Sequence, residues 1–199
     1  MTAARAAAAL LVVLLPYPAW AHAAIPGIGG AYAAFWHTLT ELPAPLTLIG
    51  LGLLLGLHGA DALKWAWGAF FFMTIVGLAL AMGIGIFIDP ELPMLLIALF
   101  AGLYAASGLR LTAALATVLG AFGGYFLGVF IAPSPASWPT RAYAIAGGLI
   151  AANFALVFLV AAVESVRTRW QLPWITIALR VVASWIAAIA ALVTALSIR

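Results

Sequence analysis

The 199-residue chain contains no cysteine, which excludes disulfides, zinc–thiolate centres, Fe–S clusters and thiol nucleophiles together. Charge is nearly as scarce. Asp, Glu, Lys and Arg make up 7% of the residues, where a water-soluble domain has roughly a quarter. Eight Lys+Arg against five Asp+Glu leave a formal net charge of +3, too little for a surface that neutralises a nucleic-acid backbone. The pI near 9.7 therefore reflects missing acids, and nucleic acid is not an expected partner. Enzyme signatures are missing as well: there is no G-x-S-x-G elbow, no H-E-x-x-H, no glycine-rich phosphate loop with its lysine and no intramembrane histidine set for haem or di-iron. The chain is not expected to be an enzyme, and no resident cofactor is firmly implied.

What is present is apolar. Hydrophobic residues are 67% of the chain and the mean hydropathy is +1.24, so the lipid bilayer is the expected solvent. Arg5, the apolar stretch 6–15 and the helix-breaking Pro16 and Pro18 before Ala19-Trp20-Ala21 have the pattern of a cleavable signal peptide over 1–21. The other reading is an uncleaved anchor helix, although the apolar stretch is too short to cross without its flanks. Cleavage makes His22 the first residue of a single membrane domain over 22–199. A terminal histidine offers its amine and Nδ1 as a chelating pair for Cu(II) or Ni(II). Apolar runs follow at about 44–59, 65–88, 92–109, 111–132, 142–163 and 174–198. The expected fold class is thus all-α, a polytopic bundle of about six transmembrane helices.

Cytoplasmic loops carry an excess of Lys and Arg. With an exported amino terminus, Lys64, Arg110, Arg167 and Arg169 face the cytoplasm, while Asp89, Glu91, Arg141 and Arg199 face the periplasm. The expectation is a multi-pass protein of the bacterial inner membrane with both mature termini periplasmic. Trp65, Trp67, Trp138, Trp170 and Trp174 lie near run ends, where an interfacial aromatic belt belongs. Gly52 and Gly56, and Gly120, Gly124 and Gly128, recur every fourth residue and predict close helix packing, within the chain, with a second copy or with a partner membrane protein.

Polar groups at bilayer depth are costly and mark places to look for function. His37 and Glu41 stand one turn apart in a stretch that ends at Pro43 and Pro45, a pairing that suits a divalent transition metal or a solvated ion pair. His58 and Asp61 are a weaker candidate pair, at i and i+3 if the helix continues through them; the plainer reading is a histidine favoured by a helix carboxyl end. Arg180, inside the sixth run, is placed to snorkel to the cytoplasmic face. Asn153, central in the fifth run, is placed to join two helices.

The signal peptide ending in Ala21-His22, the lead Gly27-Ile28-Gly29-Gly30, then Phe35-Trp36-His37, a short first span and five more, with Ala142-Tyr143-Ala144 opening the fifth and Arg180 in the sixth, resemble the HupE/UreJ family. Its members are hydrogenase and urease accessory membrane proteins associated with nickel or cobalt uptake. The family motif H-P-x-x-G-x-D-H is retained at His37, but its other positions read Thr38, Glu41, Pro43 and Ala44; the second, H-G-H-x-H-G, falls near Gly123–Gly128, which holds no histidine. The resemblance implies uptake or handling of a divalent metal (Ni2+, with Co2+ or Cu2+ as alternatives) for metalloenzyme maturation. His22, His37 and Glu41 are its candidate ligands, Glu41 standing in for a missing carboxylate. The alternative is a non-transporting accessory or assembly subunit packed against partner membrane proteins.

Overall fold

Without water, the backbone amides and carbonyls of a membrane segment have to pair within the segment, so apolar runs of this length become helices. The computed structural model describes residues 29–83, 89–134 and 137–197, apart from the side chains of 60 and 61. The expected signal peptide and His22 lie outside the described residues. Every regular element described is an α-helix: α1 Gly30–Thr40, α2 Pro43–His58, α3 Ala60–Gly83, α4 Glu91–Ser107, α5 Ala113–Ile131, α6 Trp138–Arg169 and α7 Pro173–Ser197. By length and composition α3, α5, α6 and α7 can each cross a membrane, and α1 with α2, bent by 66°, brings the number to five if the pair is one span. The apolar α4 has 17 residues and covers about 26 Å, slightly less than a hydrocarbon core of about 30 Å.

Local chemistry sets the breaks. Pro43 and Pro45 lack the N–H groups that would continue the α1 ladder; Glu41 N–H still donates to the His37 carbonyl at 3.0 Å, and the chain then turns into α2. Gly59, at φ 88°, ends α2, so His58 and Asp61 do not share one continuous helix. The least marked boundary in the sequence, around Arg110, is made by Gly108 in the left-handed region at φ 69° and by Thr112, whose Oγ1 accepts from Leu115 N–H at 3.2 Å. The helix α6 extends beyond the apolar run 142–163 at both ends, through Trp138–Arg141 and Glu164–Arg169.

Close contacts give the relative directions. Gly52 and Gly56 of α2 face Leu159 and Val163 of α6; Thr47 and Gly50 of α2 face Met94 and Ala98 of α4; Gly120, Gly124 and Gly128 of α5 face Ala66, Phe70 and Thr74 of α3. These three pairs run parallel. Gly102 of α4 and Gly108 just beyond it meet Ala187 and Arg180 of α7, and α5 places Gly123 on Leu51 and Phe130 on His37, so both of these pairs run antiparallel. Thus α2, α4 and α6 point one way and α3, α5 and α7 the other, as successive crossings require.

The core is centred on α2, twelve of whose sixteen residues are buried. Leu48, Leu51, Leu54 and Leu55 pack with Phe70, Met94, Leu95, Leu127, Leu156 and Val160 from four other helices. The buried polar residues described are Thr38, Thr47 and Thr74. Each hydroxyl lies within 2.9 Å of the carbonyl four residues back, and Thr47 Oγ1 is also 2.8 Å from the Met94 carbonyl of α4. That hydroxyl is the polar tie between the two parallel helices. Outward, Phe72, Phe100, Phe122, Phe154, Trp185 and Leu192 are exposed, an apolar surface that lipid covers.

Most intimate is the packing of α3 on α5. A Cβ added at Gly120, Gly124 or Gly128 would run into the Ala66, Phe70 or Thr74 carbonyl, and one at Gly77 into the Tyr125 carbonyl. Backbone lies on backbone, leaving dispersion and Cα–H···O contacts to hold the pair where lipid supplies no hydrophobic drive. Gly52 and Gly56 instead receive side chains: an added Cβ would stand 2.6 Å from the Cβ atoms of Leu159 and Val163.

Candidate functional site

His37 lies in the last turn of α1 and Glu41 is its C-cap. Helical spacing puts both on one face, and Nε2 of His37 stands 3.1 Å from Oε1 of Glu41, the side chains being 49% and 27% exposed. The imidazole rests against Phe130, one residue from the end of α5, with ring centroids 5.2 Å apart and planes at 36°. That contact places the α1–α2 elbow at the end of the bundle where α5 stops and α6 starts. Tyr32, Phe35 and Trp36 stack edge-to-face along α1, with Tyr32 and Trp36 exposed, the amphipathic surface expected at a membrane–water boundary.

An imidazole and a carboxylate at hydrogen-bond distance supply two donors of the type that borderline divalent ions accept. Among the described residues no group of three His, Cys, Asp or Glu converges, so a third protein ligand at the elbow has to come from elsewhere, and His22 lies outside the described residues. Phe130 supports the ring on one side.

His58 occupies the opposite end of α2, about 24 Å from the elbow along sixteen residues. Its Nδ1 lies 2.7 Å from the Leu54 carbonyl and its Nε2 3.0 Å from the Leu109 carbonyl, beyond α4. With both nitrogens against carbonyl oxygens, neither is open to a cation, and His58 acts as a clasp between α2 and the α4–α5 loop. Tyr104 holds the same loop, its hydroxyl donating to the Arg110 carbonyl at 2.9 Å. The side chain of Asp61 lies outside the described residues. The sequence-predicted metal residues therefore do not form one site: His37 and Glu41 stand together, and His58 is remote.

The remaining polar groups are distributed by end. Lys64, Arg110, Arg167 and Arg169 lie where α2, α4 and α6 finish, with Glu164, while Asp89, Glu91, Glu41 and Arg141 lie at the elbow end. The Arg180 guanidinium reaches back to Gly108 at the basic end. Asn153 does not join two helices as its position suggested; its Nδ2 donates to the Leu149 carbonyl of its own helix at 3.0 Å, and its Oδ1 is enclosed without a partner. Sequence reasoning missed Phe130 as the support of His37, the Leu109 carbonyl as the partner of His58, and Thr47. The hydroxyl of Thr47 in an otherwise apolar run was the available signal.

Comparison with protein-family models, with curated proteins and with solved structures finds no match for this chain.

Proposed function

We propose that this is a HupE/UreJ-like membrane protein that receives a divalent transition metal at the α1–α2 elbow and hands it on for metalloenzyme maturation, with nickel as the first choice and cobalt or copper as alternatives. The observation that carries this reading is the convergence of His37 and Glu41 at 3.1 Å, on a boundary-seated helix at the end of the bundle opposite the Lys and Arg residues. By the positive-inside rule that end faces the periplasm of a bacterial inner membrane, where an incoming metal first meets the protein. Removal of a signal peptide after Ala21 adds the amine and imidazole of His22 as further ligands on the same side.

Metal binding by the purified full chain, measured by equilibrium dialysis with Ni2+, Co2+ and Cu2+, tests the site. His37→Ala and Glu41→Gln are each expected to weaken binding at least about tenfold, the scale on which even outer-shell partners of metal sites act. Wild-type affinity in both variants removes the elbow from the function. Mass spectrometry of the amino terminus tests the contribution of His22, because a retained Met1 eliminates that chelate.

A second reading, a non-transporting accessory subunit, is favoured by the apolar core of the bundle, where the fully buried polar residues described are three threonines satisfied by backbone carbonyls. The two separate in a strain lacking the protein. If it supplies metal, excess external nickel restores the dependent hydrogenase or urease; if it assembles partners, added nickel leaves that enzyme inactive.

A further inference from the structure

Arg180 is a permanent cation on α7, seven residues and about 10 Å beyond the helix start at Pro173. Helical side chains slant toward the amino terminus of their helix, and this one runs back to the basic end, where its guanidinium packs against Gly108. A Cβ at Gly108 would occupy the guanidinium position, with Nη1 2.7 Å away. The contact is steric and not a hydrogen bond. Among the described residues no carboxylate or carbonyl accepts any of the Arg180 N–H groups, although the residue is partly buried. The carbonyls closest along the loop are already engaged: Leu109 faces His58 Nε2 and Arg110 receives the Tyr104 hydroxyl. A half-buried guanidinium that no described residue hydrogen-bonds keeps its N–H groups for an acceptor from outside the chain, and its planar fork matches a phosphate.

The surroundings indicate which phosphate. Trp170 and Trp174, 55% and 60% exposed, flank the start of α7 and mark the headgroup level. The exposed Arg110 follows Gly108 by two residues on the same loop, and Ile177 and Val181 present an exposed apolar surface beside Arg180. A phosphate over apolar surface at headgroup level is the chemistry of a phospholipid. We propose that the seam between the carboxyl end of α4 and the first turns of α7 is a binding site for an anionic phospholipid, whose phosphate is held by Arg180 with Arg110 beside it and whose acyl chains lie on α7.

Native mass spectrometry of the full chain released from nanodiscs of equal phosphatidylglycerol and phosphatidylcholine tests this. The wild type is expected to retain phosphatidylglycerol about fivefold over phosphatidylcholine, the equivalent of roughly 1 kcal/mol for a basic residue at an anionic surface. Arg180→Gln is expected to reduce the preference to near parity, Arg180→Lys to keep part of it, and Lys64→Gln, at the same end, to leave it unchanged. Gly108→Ala, which keeps every charge but displaces the guanidinium, is expected to lower the preference and serves if Arg180→Gln does not fold. Equal retention of both lipids by the wild type, or wild-type preference in Arg180→Gln and Gly108→Ala, overturns the proposal. A fall in Lys64→Gln as large as in Arg180→Gln overturns it in favour of general surface charge. Displacement of phosphatidylglycerol by excess inorganic phosphate overturns it in favour of a free anion.

Discussion

His58 stands where a short, deeply buried helix stops, with its two ring nitrogens 2.7 and 3.0 Å from carbonyl oxygens of different elements. Which of the two ring nitrogens carries the N–H decides which carbonyl receives a hydrogen bond. His58→Phe keeps the ring and deletes both contacts. The expected loss is about 1–3 kcal/mol, read as a lower unfolding midpoint in detergent with unchanged helical content; an unchanged midpoint means the clasp contributes nothing. The sequence invited a ligand role through Asp61, three residues on. The actual partner lies 51 residues away and is a backbone carbonyl, which has no signature in residue type. His37 and Glu41 were legible because their pairing is local, whereas the Phe130 support depends on how α5 lies against α1.

At the scale of elements, the glycine stripe of α5 and Gly68 of α3 make opposite forecasts. Gly124→Ala drives a methyl into the Phe70 carbonyl, so α3 and α5 have to separate along their length, at an expected cost of about 1–3 kcal/mol. Gly68 has open space where its Cβ would be, and Gly68→Ala is expected to be neutral or to stabilise by up to about 1 kcal/mol through helix propensity. Thermal unfolding of the two variants in one detergent checks the contrast, and equal midpoints would refute it. Periodicity revealed that Gly120, Gly124 and Gly128 share a face, but not that the face meets α3. Gly77 and Gly147 make equally close backbone contacts, and Gly102 a somewhat wider one, with no stripe to announce them. Helix positions were likewise readable from apolar run length, while helix ends such as Trp138 and Arg169 were not, because a helix outlasts its apolar segment wherever polar residues satisfy its ends.

For the whole molecule, absence becomes a tool. The chain has no cysteine, so a single introduced thiol reports its side of the membrane without background. Asp89 and Lys64 are exposed at opposite ends of the bundle. On the proposed orientation in a bacterial inner membrane, Asp89→Cys is expected to react with a membrane-impermeant maleimide once the periplasm is accessible, and Lys64→Cys only after that membrane is breached. The reverse pattern inverts the orientation, and reaction of both from one side means that α3 does not cross.

The length of α6 has a mechanical consequence. Its 32 residues span about 48 Å, well beyond the hydrocarbon core, and it accompanies α1 and α2 past the proline break. Gly147 accepts the Ala31 carbonyl on one side of the break, while Leu159 and Val163 seat on Gly52 and Gly56 on the other. Two prolines in isolation make a hinge; an unbroken rod bolted to both arms makes a splint. The 66° angle can change only if α1 peels from α6 or Gly52 and Gly56 lift from it, so the His37–Glu41 corner is held rigid by a helix to which neither residue belongs.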